Sequence, residues 1–209
     1  MTQIIGIGGK LQHGKDVVAD HLVDELGWVK VGMSDALNEI LVVLNPLIVQ
    51  RWEVDVTVKK AWWSRKTVTV PVEHQRTIRY ADLIEEVGYV KAKEDPEVRR
   101  LLQVMGTEVG RKMIDANIWT KMMTKKVREL KKQAVPGVIV TGIRFPNESK
   151  AIKTLEGRLW WVERPGHVAE TDAGSHDSEN SLSAKDFDTI LINDRSLNDL
   201  RSKVDDLVD

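Results

Sequence analysis

The apolar positions change period several times along the chain, and each change marks an element. Residues 3–8 form a nearly unbroken apolar run, with Ile4, Ile5 and Ile7 among glycines, and predict a strand buried on both faces. From 15 to 26 the spacing turns to four: Val18, Leu22 and Leu26 share one helical face, and Gly27 stops the helix. A short strand is expected over 28–31. Ser34 then caps a helix to about Leu44, carrying Leu37, Ile40, Leu41 and Leu44, with Pro46 at its end. This order of strand, helix, strand and helix predicts a layered α/β fold with a parallel sheet.

Residues 46–94 break that rhythm. Val54, Val56 and Val58 alternate with polar residues, as do Val68 and Val70 with Thr67 and Thr69, which predicts a hairpin of half-buried strands. Between them Lys60, Trp62, Trp63 and Arg65 could stack on the bases of a single strand, although an exposed hairpin tip is the simpler reading and nucleic acid the less favoured partner. Residues 79–88 look helical. The whole stretch reads as an insertion. Asp95 and Pro96 are a cap and a first-turn proline, opening a helix to about Met113 with Val98, Leu101, Leu102, Met105 and Val109 inward.

Another helix begins at Asp115 and runs to about Gln133. Its stripe of Ile118, Trp119, Met122, Met123, Val127 and Leu130 reads as core. Val138 to Thr141 is again strand-like, then Arg144, Phe145, Pro146, Asn147 and Glu148 lead into a helix to Gly157. Strands are expected over 159–162 and 189–192, and Ser196 caps a last helix. The polar, turn-rich stretch 164–186 has the length of a lid. Within it His176 and Glu179 could be metal ligands, but with no third ligand in view a hydrogen-bonded anchor is preferred.

The chemistry starts where the first strand ends. From Gly9 the spacing is G-x-x-x-x-G-K, the phosphate-binding P-loop, formed by Gly9, Lys10, Leu11, Gln12, His13, Gly14 and Lys15, with Asp16 and Val17 following. Glycines let backbone N–H groups turn toward a phosphate, the next helix points its positive end at it, and Lys15 adds a charge. Asp16 stands where a hydroxyl usually touches Mg²⁺; its carboxylate could hold the ion or its water, or merely favour the helix dipole. Arg144, at a strand end, and Arg111 are candidate anion clamps, and Arg164 is the cation of the lid. Asp35 either faces an acceptor or is an ordinary first-turn acid.

At 209 residues the chain is read as one domain, 1–209, carrying the insertion at 46–94 and the lid at 164–186. A net charge of −1 gives no global attraction to nucleic acid or anionic membrane. The lack of cysteine excludes disulfides and thiol nucleophiles and fits a reducing cytoplasm. No apolar run is long enough to span a bilayer. Seven tryptophans are unusual beside two phenylalanines and two tyrosines. Trp52, Trp62, Trp63, Trp160 and Trp161 either pack the insertion onto the core or make a subunit contact, as in a homodimer.

Taken together these stretches resemble the deoxynucleoside monophosphate kinases of bacteriophages. The matching pieces are Gly14, Lys15 and Asp16; Ser34 to Leu37; Arg100 to Gln103 through Gly106 to Arg111; Trp119; Arg144 to Glu148; and His176 with Ser178 and Glu179. The resemblance implies a three-layer α/β/α P-loop kinase fold with a mobile lid, a host-cytoplasmic setting if of phage origin, ATP with Mg²⁺ as donor, and a deoxynucleoside monophosphate as acceptor. It implies that Asp35, Gln103, Arg111 and Arg144 surround the acceptor, with Glu148 close by, and that Lys15, Arg144 and Arg164 carry catalysis. Two positions depart from the family pattern: Val17 replaces a threonine, and Gly142 stands where an acid usually precedes the arginine. The loss leaves Asp16 as main metal candidate, with Glu148 as a substitute acid. Rival readings are another small-molecule kinase, such as one acting on dephospho-coenzyme A, and a nucleotide- or nucleic-acid-binding protein without turnover.

Overall fold

The structure, a computed structural model, describes residues 2–59, 67–167 and 181–208. In chain order the elements are β1 (Gln3–Gly8), α1 (Lys15–Leu26), β2 (Val29–Gly32), α2 (Asp35–Leu44), β3 (Leu47–Lys59), β4 (Thr67–Arg79) and α3 (Tyr80–Val87). Then come the one-turn α4 (Tyr89–Ala92), α5 (Pro96–Gln103), α6 (Ile118–Lys132), β5 (Gly137–Thr141), α7 (Pro146–Thr154), β6 (Arg158–Glu163), β7 (Thr189–Ile192) and α8 (Leu197–Val208). The chain divides into two compact units, 1–36 with 114–209, and 37–113. The insertion read at 46–94 lies inside the second unit.

The first unit is a five-stranded sheet in the order β2-β5-β1-β6-β7, with every neighbouring pair parallel. Its inner strands β5, β1 and β6 are buried on both faces, which is why they read as apolar runs rather than alternations. On one face Ile4, Val138, Val140, Leu159 and Trp161 pack with Val127 of α6 and Ile152 of α7. On the other, Ile5, Ile7, Ile139 and Trp160 pack with Leu22 of α1 and Val204 of α8. Helices on both sides of a parallel sheet make the expected three-layer α/β/α P-loop fold. Trp160 and Trp161 are therefore strand core, 0 % and 7 % exposed, and serve neither the insertion nor a subunit contact. A period-2 strand buried on both faces sends adjacent tryptophans into opposite layers.

Caps set the ends of the helices. Gly27 closes α1 at φ 64, a left-handed conformation cheap only for glycine. Ser196 and Asp199 cap α8 reciprocally: Ser196 Oγ accepts from the Asp199 N–H at 3.2 Å, and the Asp199 carboxylate accepts from the Ser196 N–H at 3.0 Å.

In the second unit β3 and β4 pair antiparallel over their whole length, from Leu47–Arg79 to Lys59–Thr67. Ile48, Leu41, Tyr80, Leu83 and Val98 form its core. Asp95 caps α5 as expected, accepting from the N–H groups of Glu97 and Val98. Beyond α5 the helix widens to i→i+5 hydrogen bonding over Val104–Ile114. Such widening is rare overall and frequent at functional sites. The hairpin is longer than its alternation suggested and is not half-buried: its valines stay exposed. The Trp62 and Trp63 tip and the His176–Glu179 pair lie outside the described residues. Among the described residues no three His, Asp or Glu side chains cluster as a metal site, and no helix is long and apolar enough to cross a membrane.

Candidate phosphate-binding site

In the first unit β1 is the switch point of the sheet, since the chain leaves it toward β2 on one side and β6 lies on the other. Ligands in open parallel sheets sit beyond the carboxyl ends of the strands at such a point. The loop 9–14 occupies that place. Gly9 has φ 135, and a Cβ there would stand 2.3 Å from the Val162 carbonyl oxygen, so only glycine lets the loop leave β1 beside β6. Gly14, at φ 102, turns the chain into α1. The ammonium of Lys15 folds back and donates to the Lys10 carbonyl, so its charge lies over the loop.

Neighbouring strand ends tie the loop down. His13 is 5 % exposed, and its Nδ1 accepts from the Arg164 N–H at 3.0 Å. Burial, chiefly, holds the His13 imidazole below its usual pKa, and the charges of Lys15 and Lys10 add to this. The neutral ring can accept where an imidazolium cannot. Asn193, just past β7, is also buried; its Nδ2 donates to the His13 carbonyl at 3.1 Å, and its own N–H donates to the Glu163 carbonyl at 2.7 Å. His167 bonds Gln12 Oε1 at 3.1 Å. An open cleft of about 420 Å³ beside the loop is lined by Lys10, His13, Glu163, Arg164 and His167 among others.

Arg144 leaves β5 at the same carboxyl edge. The turn before it runs against the end of β1, with the Ile143 N–H bonded to the Ile7 carbonyl at 3.3 Å. Glu148 is 1 % exposed, and its carboxylate accepts from the N–H groups of Arg144 (2.8 Å) and Phe145 (3.1 Å). It thus caps α7 and fixes the backbone that carries Arg144. Asp35 is the first residue of α2, and its carboxylate reaches back to accept from the N–H of Gly32, the last residue of β2, at 2.6 Å. Asp16, in the first turn of α1, is 82 % exposed and lies 3.5 Å from Lys30. Burial pulls the Lys30 pKa down, but Asp20 at 2.9 Å, with Asp16, outweighs that and leaves it raised. An ion pair as open as that of Asp16 is weak and leaves the carboxylate able to turn to another cation.

The two departures from the family pattern have local causes. Val17 is partly buried against the apolar layer of α1 and α8, so its side chain is used in packing. Gly142 has φ 82, with only Met33 Cβ near a would-be side chain, at 3.9 Å. There is room for an acid there, but the backbone is one that L residues adopt at a cost. Gln103 and Arg111 belong to the second unit, at the end of α5 and in the widened helix, Gln103 exposed and Arg111 half-buried. Sequence reading missed Asn193, His167 and Lys30. The polar residue directly after a buried strand of a parallel sheet was the available signal for Asn193.

Comparison with known proteins decides the family. The deoxynucleotide monophosphate kinase profile matches residues 53–204, well over half of the chain. The chain belongs to that family. A protein of Acanthamoeba polyphaga mimivirus provisionally given the same name is 26% identical over 99% of this chain and 96% of its own. The deoxynucleotide monophosphate kinase of Enterobacteria phage T4 is 29% identical over 51% of this chain, which spans only 43% of the phage protein. Among solved structures, the dephospho-CoA kinase of Campylobacter jejuni aligns over 99% of this chain and 96% of its own, at 14% identity and a TM-score of 0.46.

Proposed function

We propose that this family member transfers the γ-phosphoryl group of ATP to a deoxynucleoside monophosphate. The observation that carries the reading is the glycine-turned loop with Lys15 folded over it, pinned at His13 from two strand ends. In this reading the N–H groups of 9–15 and the ammonium of Lys15 hold the β- and γ-phosphates of the donor. Arg144 grips the acceptor phosphate, Asp35 lies at the same carboxyl edge, and Glu148 acts by holding Arg144 in place; Arg111 and Gln103, in the second unit, are the further acceptor residues that the family resemblance implies. Arg164 neutralises charge from the lid side.

An oxygen of the acceptor 5′-phosphate attacks the γ-phosphorus as the bond from that phosphorus to the β,γ-bridging oxygen breaks. The products are ADP and the nucleoside diphosphate. The attacking oxygen is already ionised near neutral pH, so no base is needed; the chain contributes position and positive charge. Asp16, an exposed carboxylate in the first turn of α1, would be the residue to hold Mg²⁺ or one of its waters. When bound, the ion neutralises charge on the donor phosphates.

The test is ADP release in a coupled assay with each of the four common deoxynucleoside monophosphates. Turnover with at least one is expected, with a loss of about 100-fold or more in Lys15→Ala. No turnover with any acceptor, together with unchanged ATP affinity in Lys15→Ala, overturns the proposal.

A further inference from the structure

We propose that the β3–β4 ribbon is a dimerisation arm that packs face to face against the same ribbon of a second copy of this chain. Register divides the ribbon into two unlike faces. One carries the cross-strand pairs Ile48–Ile78, Gln50–Arg76, Trp52–His74, Val54–Val72, Val56–Val70 and Val58–Val68. At its base this face is spent within its own unit. Ile48 is buried in the core, Gln50 bonds Asp95, and Arg76 bonds Glu86. Further out the same face has no cover. Trp52 and the six valines from Val54 to Val72 are each 37–45% exposed, and Trp52 stacks on His74 at 5.8 Å.

The opposite face is built for water. It pairs Glu53 with Glu73 and Asp55 with Pro71, and like charges directly opposite one another are tolerable only where solvent screens them. The ribbon is therefore sided, and the apolar side is the one to be covered.

Four features select a second copy as the cover. Among the described residues the outer face holds no charged side chain, whereas interfaces with transient foreign partners are about as polar as any surface, and homodimer interfaces are more apolar. Rows of β-branched residues on a two-stranded ribbon complement rows of the same kind, as in sandwiches whose sheets stack about 10 Å apart. A face that matches itself closes by a two-fold axis and leaves nothing to polymerise. Its size also suits: the outer face presents on the order of 500 Å² of apolar surface, the upper range for a monomer. Two copies then bury on the order of 1,000 Å², the threshold of a specific interface. Edge-to-edge pairing is disfavoured, because Pro71 removes an N–H from β4.

The full chain is examined by sedimentation equilibrium at about 50 µM, a concentration that populates interfaces of this size. Twice the 23.7 kDa chain mass is expected. Val56→Glu and Val70→Lys should each weaken association by at least 100-fold with little change in melting temperature, while Thr57→Glu, on the wet face, should leave the dimer intact. The chain has no cysteine, so single introduced thiols give an independent readout even where the charged variants fold poorly. Val70→Cys should join two copies with a short bismaleimide, and Thr69→Cys should not. A monomeric wild-type chain, a dimer that survives both valine variants, or equal cross-linking from the two thiols overturns the proposal. None of these outcomes depends on phosphoryl transfer, which Lys15→Ala tests separately.

Discussion

Replacing Asn193 by alanine removes the hydrogen bond that Nδ2 gives to the His13 carbonyl at 3.1 Å, one residue before Gly14. Asn193 is 8 % exposed, so bulk water has little access to the carbonyl in the closed loop. Leaving a buried carbonyl unpaired costs about 1–3 kcal/mol. That penalty falls on the closed loop, not on the whole fold, because the loop can open and hydrate the group. The binding-competent conformation then becomes a minority, and apparent donor affinity falls in proportion. At about 1.4 kcal/mol per factor of ten, KM for ATP should rise by roughly 5- to 100-fold. KM for the acceptor should change less than about twofold, because Arg144 and Glu148 sit on a different strand end. Asn193→Asp should be worse than alanine, since a carboxylate cannot donate and faces the carbonyl with a charge. Steady-state kinetics with each substrate varied in turn make the measurement. An alanine variant with ATP KM within twofold of wild type would show that Asn193 does not hold the loop.

Three further outcomes are expected. Because burial lowers the His13 pKa from its usual 6.5, the neutral ring contributes stability above that pH that is lost as pH falls through it; melting temperature and ATP affinity should drop together below about pH 6.5, and His13→Asn, which keeps a non-titrating acceptor, should flatten the drop. An acid limb of equal depth in that variant would remove His13 as its source. Gly9→Ala places a Cβ 2.3 Å from the Val162 carbonyl at φ 135 and should cost on the order of 3 kcal/mol in urea unfolding; a loss under about 1 kcal/mol would mean that the loop relaxes freely. Glu148→Ala should raise the acceptor KM about tenfold with ATP KM little changed, whereas Glu148→Gln, which keeps an acceptor oxygen, should lie near wild type; identical kinetics in both would exclude a part in holding Arg144.

The apolar runs at 3–8, 138–141 and 159–162 announced strands covered on both sides, and the spacing of Gly9, Gly14 and Lys15 announced an anion loop, because both signals are local. Helix ends were legible for the same reason: Gly27, Asp95 and Ser196 satisfy backbone groups within a few residues of themselves. Alternation also gave the hairpin its period, but period says which residues share a face, not whether that face meets protein or water. Glu148 was recognisable as an acid near Arg144, yet only folding turns its carboxylate onto two backbone N–H groups. The loop's anchors were beyond local reading altogether. His13, Arg164 and Asn193 come from three strand ends far apart in the chain, and they meet because parallel pairing sets β1, β6 and β7 side by side with their carboxyl ends aligned. Contacts of that kind depend on sheet order and register, which are settled by the packing of both helical layers and leave no mark on the spacing of neighbouring residues.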